Sequence, residues 1–147
     1  MSTQSTGTEA MTDAQFLEAL EQATYPKEQF GHRAHLRLGW LCLREHGFEA
    51  GLARLRTLIQ RYATAVGAAG KYHETITRVW AEHVQAALEA TPQLSGFEAF
   101  LEAHPQLLSS GLLERHYSKE TLASPEAKGN WVPPDREPLP PRRRAAA

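Results

Sequence analysis

Three histidines in this chain have the type and spacing to form one chemical site. His32 and His35 are three positions apart in the largely apolar stretch Phe30–Leu43, so a helix places them on one face. His73 falls on the same stripe as the apolar residues of a later helical pattern. Imidazoles in an apolar setting need polar partners, and a shared metal ion is one such partner. The pattern therefore predicts His32, His35 and His73 as ligands of zinc, iron or copper, which the sequence does not distinguish.

Three further residues are candidates to complete this site. We predict Glu74 or His116 as a fourth ligand or an acid–base group, and Tyr72 as a proton donor. Glu74 follows His73 directly, so on a regular helix the two side chains diverge by about 100°. Its alternative role is a first-turn acid that the helix dipole favours. The alternative role of Tyr72 is that of a packing residue at the start of a helix.

Helices must position these residues, and apolar periodicity predicts an all-α fold with a four-helix up-down bundle as its core. The predicted helices begin after Thr12, between Glu28 and Ala34, near Glu49 and at Lys71, and they end before Pro26, at Gly47, at Val66 and at Ala90. In an up-down bundle the second and fourth helices are parallel, so their first turns bring the three histidines to one end of the core. The two helix dipoles disfavour protonation of the imidazoles there.

Shorter elements are expected after the fourth helix. We predict short helices over residues 96–103 and 110–116, and a single turn after Ser124, where the following proline suits the first helical position. From Trp131 the sequence is typical of an extended, proline-rich tail. The expected organisation is a disordered N-terminus over residues 1–11, one helical domain over 12–132 and a tail over 133–147.

Composition limits the partners that this chain is expected to have. Its 147 residues include 41% hydrophobic and 22% charged residues, which suits one globular domain. A net charge of -1 gives no electrostatic reason to expect nucleic acid or an anionic membrane as partner. No apolar run approaches the roughly 20 residues of a membrane span, and the N-terminus lacks the pattern of a signal peptide. We therefore expect a cytoplasmic protein with no nucleic-acid or membrane partner.

The stretches Phe30–Leu41, Gly70–Trp80 and Leu113–Leu122 resemble a group of small, uncharacterised bacterial helical proteins. The resemblance rests on the motifs F-G-H-R-A-H-L, K-Y-H-E-T-I-T and R-H-Y-S. The group has no assigned activity, so the resemblance implies no chemistry. It does imply that the three motifs belong to one recurring pattern, which gives His116 more weight as a site residue.

Three functional hypotheses follow from the sequence. The first is a small metal-dependent enzyme that carries out hydrolysis, lyase or oxygen chemistry on a small-molecule substrate. The second is a non-catalytic binding or accessory module, in which the histidines form a hydrogen-bond network with Glu28, Glu74 or Tyr72. The third is a sensor of a small anion or carboxylate, bound by Arg33 and the helix N-termini.

Overall fold

The computed structural model describes residues 11–109 and 111–141 of the chain. These residues form seven α-helices and no strand, so the all-α prediction is confirmed for this part of the chain, whereas the up-down order of four helices stays a prediction. The helices are α1 (Asp13–Glu21), α2 (His32–Ala65), α3 (Glu74–Ala90), α4 (Phe97–Ala103), α5 (Leu112–His116), α6 (Lys119–Ala123) and α7 (Pro125–Gly129). Residues 1–10 of the predicted disordered segment and residues 142–147 of the predicted tail lie outside the described residues.

Helix α1 begins after Thr12, as the sequence predicts, and Thr12 caps it. The Thr12 hydroxyl accepts the backbone N–H of Gln15 at 3.1 Å, and the Gln15 side chain accepts the backbone N–H of Thr12 at 3.0 Å. Arg37 of α2 donates to the Asp13 carboxylate at 2.9 Å and lies over the Phe16 ring, 4.5 Å from its centroid. The capped end of α1 is thereby fixed to α2.

Helix α2 is a hairpin of two arms, because Gly47 interrupts it with φ of +82°. This is the break that the sequence predicts at Gly47, where a positive φ favours glycine. A Cβ on Gly51 of the second arm would lie 2.7 Å from the Cys42 carbonyl oxygen of the first, whereas a Cβ on Gly39 would meet Leu55 at 3.8 Å. These pairings converge on the bend, so the two arms run antiparallel and in close backbone contact.

The core lies where α2 packs against α1, α3 and α4. Its largest fully buried side chains include Trp40, Phe16, Phe100, Leu36, Leu38 and Leu58. None of the helices in the described part of the chain combines the length and the apolar character that crossing a membrane requires.

The fourth predicted helix, α3, begins three residues later than predicted. It starts at Glu74, with His73 in extended conformation as its N-cap, because residues 69–71 form a separate 3-10 turn before it. Its end at Ala90 is as predicted. His73 therefore lies outside the first helical turn in which the sequence pattern places it.

The C-terminal segment packs along α3. Helix α7 follows Ser124 as predicted, whereas α6, capped by Ser118, was not predicted. The Tyr117 hydroxyl donates to the carbonyl of Val132, and the backbone N–H of Val132 donates to the Thr75 hydroxyl at 3.1 Å. The extended segment from Trp131 is thus held against the helices by backbone as well as side-chain contacts.

Candidate functional site

A cavity of about 350 Å³ lies between α2 and α3. Its apolar lining consists of Leu36, Gly39, Leu55, Ile59, Ile76, Trp80, Ala81 and Val84. Its polar lining consists of His32, His35, Lys71, Tyr72, His73 and Thr77. The residues around the N-terminal ends of α2 and α3 therefore line one cavity, and four of the six predicted site residues are among them.

His32 is an exposed residue at the rim of this cavity, and its tautomer follows from its contacts. Its Nε2 lies 2.7 Å from the carbonyl oxygen of Leu107, and a carbonyl only accepts, so Nε2 carries the proton. The imidazole packs against the Trp80 indole with ring centroids 4.4 Å apart. The lone pair of neutral His32 is consequently on Nδ1.

His35 has the opposite tautomer and a more enclosed position. Its Nδ1–H donates to the carbonyl of Gly31 at 2.8 Å, and its ring stacks on Phe30 at a centroid distance of 3.9 Å. Burial lowers the pKa of His35, and the neighbouring His32 lowers it further, against the opposing effect of the Gly31 hydrogen bond. His35 is therefore neutral at pH 7, with its lone pair on Nε2.

His73 uses both of its ring nitrogens to hold the fold. Its Nδ1 accepts the backbone N–H of Ile76 at 3.1 Å, which caps α3, and its Nε2–H donates to the carbonyl of Leu122 at 2.8 Å. A metal ion bound to His73 would have to break one of these bonds. The contacts of His73 thus do not fit the predicted three-histidine metal site, which stays a prediction. Among the described residues there is no group of three or more histidine, cysteine or acidic side chains placed to hold a metal.

Tyr72 lines the cavity, whereas Glu74 does not. The Glu74 carboxylate accepts from Arg56 Nε at 3.0 Å and Nη2 at 2.6 Å, and from the Tyr72 hydroxyl at 2.6 Å. Burial raises the pKa of Glu74, but these hydrogen bonds outweigh it and lower the pKa overall. Burial and the bond to Glu74 raise the pKa of Tyr72 to about 12. The ion pair of Arg56 with Glu74 therefore joins the second arm of α2 to α3. The catalytic roles of Tyr72 and Glu74 stay predictions.

His116 also lies apart from the cavity lining, in a pair that the sequence did not reveal. Its Nδ1–H donates to the carbonyl of Glu137 at 2.9 Å, and its Nε2 lies 3.0 Å from His83 Nε2. Since Nδ1 of neutral His116 carries the proton, Nε2 accepts and His83 is the donor. Burial lowers the pKa of His83 to about 4, and His116 and Arg115 contribute to the lowering. The predicted role of His116 at the same site as His73 stays a prediction without a supporting contact.

The C-terminal segment fixes one side of the cavity rim. The Lys128 ammonium donates to the carbonyls of Gly70 and Tyr72, and the Leu122 carbonyl accepts from His73. Lys71, in the same rim, has no ion pair within the described part of the chain. The 3-10 turn over residues 69–71 and the start of α3 are therefore held by residues of the C-terminal segment. The Lys71 ammonium group is the charged group of the cavity lining.

Two residues of this lining are not among the predicted site residues. The Trp80 indole is only partly buried and forms a cavity wall beside His32. The Thr77 hydroxyl bonds the His73 carbonyl, at 2.8 Å. The signal was present, because these residues share a helical stripe with His73, but a stripe does not tell a cavity wall from a packed core.

Comparison of the chain with protein-family models, with curated proteins and with solved structures finds no match. The resemblance to small bacterial helical proteins stays a prediction, and function is argued from the cavity and its residues.

Proposed function

We propose that this chain is a small-molecule binding protein whose ligand occupies the cavity between α2 and α3. The observation that supports the proposal is a cavity of about 350 Å³ whose lining combines apolar side chains of α2 and α3 with polar side chains around the N-terminal ends of these helices. Ligand sites in proteins have this composition, since the apolar wall supplies affinity and a few polar groups fix orientation. The volume equals that of roughly a dozen water molecules, which suits a ligand of one or two rings.

The rim is held in place before any ligand arrives. His32 is bonded to Leu107, His73 to Leu122, and Lys128 to the carbonyls of Gly70 and Tyr72. Leu107, Leu122 and Lys128 lie in three separate C-terminal segments, outside α2 and the start of α3, and all three segments fix the rim. A preorganised site loses less conformational entropy on binding than a flexible one. This favours the binding module of the second hypothesis from the sequence, but the histidines bond to backbone groups and not to Glu28, Glu74 or Tyr72.

Filling the cavity tests the proposal. A Cβ on Gly39 meets only Leu55, at 3.8 Å, so a Gly39→Leu side chain has room to extend into the cavity. Ligand-observed NMR with ethylbenzene, cyclohexanol and indole measures binding to the wild-type protein and to this variant. We expect saturable binding of at least one probe, lost in Gly39→Leu and retained in a Gly96→Leu control, where an added Cβ meets nothing within 4 Å. Absence of binding by all three probes to the wild-type protein contradicts the proposal.

A metal-dependent enzyme is the second candidate, and one observation favours it. The lone-pair nitrogens of His32 and His35 are on residues one helical turn apart, in one cavity, without a partner among the described residues. A metal held by these two side chains would keep open positions for a small-molecule substrate. Lys71 and the positive N-terminal ends of two helices oppose a cation there, which makes this the second candidate.

Titration of chelator-treated protein with zinc, copper and iron tests this second candidate. A two-histidine site predicts a rise in melting temperature that disappears in His35→Phe and persists in His73→Asn. A rise that depends equally on His73 would instead favour the three-histidine site that the sequence predicts. No change with any of the three metals would exclude both forms of the candidate.

The anion sensor has less support. Arg33, its proposed cation, forms an ion pair with Glu98, and Arg37 is engaged by Asp13. Neither arginine is among the residues that line the cavity. An anion bound there would rely on Lys71 alone among the charged side chains of the lining.

A further inference from the structure

We propose that the cavity selects a neutral ligand that donates a hydrogen bond, with His35 Nε2 as the principal acceptor and His32 Nδ1 as a second acceptor at the rim. This inference rests on the proposed binding function and names the chemical class of its ligand: a small, largely apolar molecule with a hydroxyl or N–H group.

The tautomers of His35 and His32 leave an accepting nitrogen on each ring. Each histidine donates its one proton to a backbone carbonyl, His35 to Gly31 and His32 to Leu107. Each neutral ring therefore keeps one nitrogen that can only accept. His35 is the more enclosed of the two, being partly buried where His32 is exposed. A ligand that fills the cavity displaces water from these nitrogens, so a ligand with a donor restores a hydrogen bond, whereas one without a donor leaves the acceptor unsatisfied.

The other polar groups of the lining do not replace these acceptors. The Thr77 hydroxyl donates to the His73 carbonyl, the Tyr72 hydroxyl donates to Glu74, and both ring nitrogens of His73 are occupied. Lys71 is the remaining donor of the lining. Lys71 and the helix N-termini attract a carboxylate, but a carboxylate has no proton to donate, so it would leave the accepting nitrogens of His35 and His32 without a partner.

The apolar lining determines which shape of ligand body the cavity accommodates. The walls of the cavity are aliphatic side chains from both helices together with the Trp80 indole, which packs beside His32. A flat ring with one polar substituent matches this lining, because its body packs on aliphatic and aromatic groups while its donor reaches the rim.

Three probes that share the para-ethylphenyl group test the inference: para-ethylphenol with a hydroxyl donor, para-ethylanisole with a methyl ether in its place, and para-ethylbenzoate with a carboxylate. Dissociation constants are measured by ligand-observed NMR near neutral pH on chelator-treated protein. We expect the phenol to bind at least about fivefold more tightly than the ether, since a site built around a hydrogen bond rejects the analogue that lacks it. We expect the benzoate to bind more weakly than the phenol.

The His35→Phe variant tests the acceptor independently of the cavity. Phenylalanine keeps a ring against Phe30 and removes the acceptor, so the preference for the phenol over the ether should fall to about twofold or less. His46→Phe, at an exposed position that lines no described cavity, is the matched control and should keep the wild-type preference. The contrast among the three probes needs no variant, so it stays decisive where His35→Phe folds poorly.

The outcomes separate this inference from the proposed function. If no probe binds, the binding function itself fails. If the probes bind but the ether equals the phenol, the cavity binds ligands and the donor requirement is wrong. Tighter binding of the benzoate than of the phenol overturns the inference in favour of an anion site.

Discussion

Replacing His73 distinguishes a helix cap from a metal ligand. His73→Ala removes the acceptor for the Ile76 N–H and the donor to the Leu122 carbonyl. Loss of an N-cap side chain costs about 1 kcal/mol, and loss of the second hydrogen bond costs about 1 kcal/mol more. The expected destabilisation is about 2 kcal/mol, which corresponds to a decrease in melting temperature of about 4–8 °C for a domain of this size.

His73→Asn is the informative comparison, because asparagine is among the best N-cap residues. It should restore the cap and lose only the bond to Leu122, so we expect about half of the effect of His73→Ala. Urea unfolding followed by circular dichroism measures both variants, with the exposed His46→Ala as a control that changes stability by less than about 0.5 kcal/mol. The capping role is refuted if His73→Asn is as destabilised as His73→Ala. A metal-dependent gain in stability that vanishes in His73→Asn would assign the residue to a metal instead.

Three more predictions concern packing, ion pairing and pH. Gly39→Ala should stabilise the protein by about 0.5–1 kcal/mol and Gly51→Ala should destabilise it by more than about 2 kcal/mol, since only the second Cβ meets backbone, at 2.7 Å; equal effects in urea unfolding would contradict the hairpin packing. Arg56→Met should cost about 1–3 kcal/mol because it leaves the Glu74 carboxylate partly buried without its cation, and adding Glu74→Gln should recover part of this loss in a double-mutant cycle. Folding lowers the pKa of His83 from 6.5 to about 4. As the pH falls, the unfolded chain therefore protonates His83 before the folded protein does. The stability that depends on neutral His83 is present above about pH 6.5 and is lost as the pH falls towards 4. With allowance for partial exposure the loss is about 2 kcal/mol, and His83→Gln should reduce it; an unchanged pH profile in that variant would refute the assignment.

Local signals predicted much of the helical structure. The Thr12 cap with Gln15, the break at Gly47 and the turn after Ser124 are determined by residues within a few positions of one another. Each follows from backbone chemistry that needs no distant contact, such as a hydroxyl that accepts a nearby N–H or a glycine that takes a positive φ. These parts of the fold were therefore accessible from the sequence.

Periodicity and short connections predicted that His32, His35 and His73 lie together at one end of the core. All three line one cavity, together with Tyr72, whereas their role at a site stays a prediction. The ring contacts were not predicted, because the partners lie far away along the chain. Leu107 is 75 residues from His32, and the Leu122 carbonyl is 49 residues from His73. A backbone carbonyl can accept a hydrogen bond whatever the residue type, so it produces no pattern in the sequence. The sequence therefore could not show that these imidazoles already have partners.

The pairing of His83 with His116 was hidden for a related reason. His83 lies in α3, and no motif or spacing in the sequence relates it to His116. Its neighbour comes from α5, whose position against α3 depends on the docked C-terminal segment and on the bond from His116 to Glu137. Short helices with few apolar residues carry little information about where they pack.

Long-range proton–nitrogen NMR of the histidine rings tests whether His35 offers an accepting nitrogen to a ligand in the cavity. We predict that His35 is neutral with its proton on Nδ1, that His32 carries its proton on Nε2, and that para-ethylphenol shifts the unprotonated nitrogen of His35 as it saturates the protein. The proposed role of His35 is refuted if its proton is on Nε2, or if para-ethylphenol saturates the protein and leaves that nitrogen resonance unchanged.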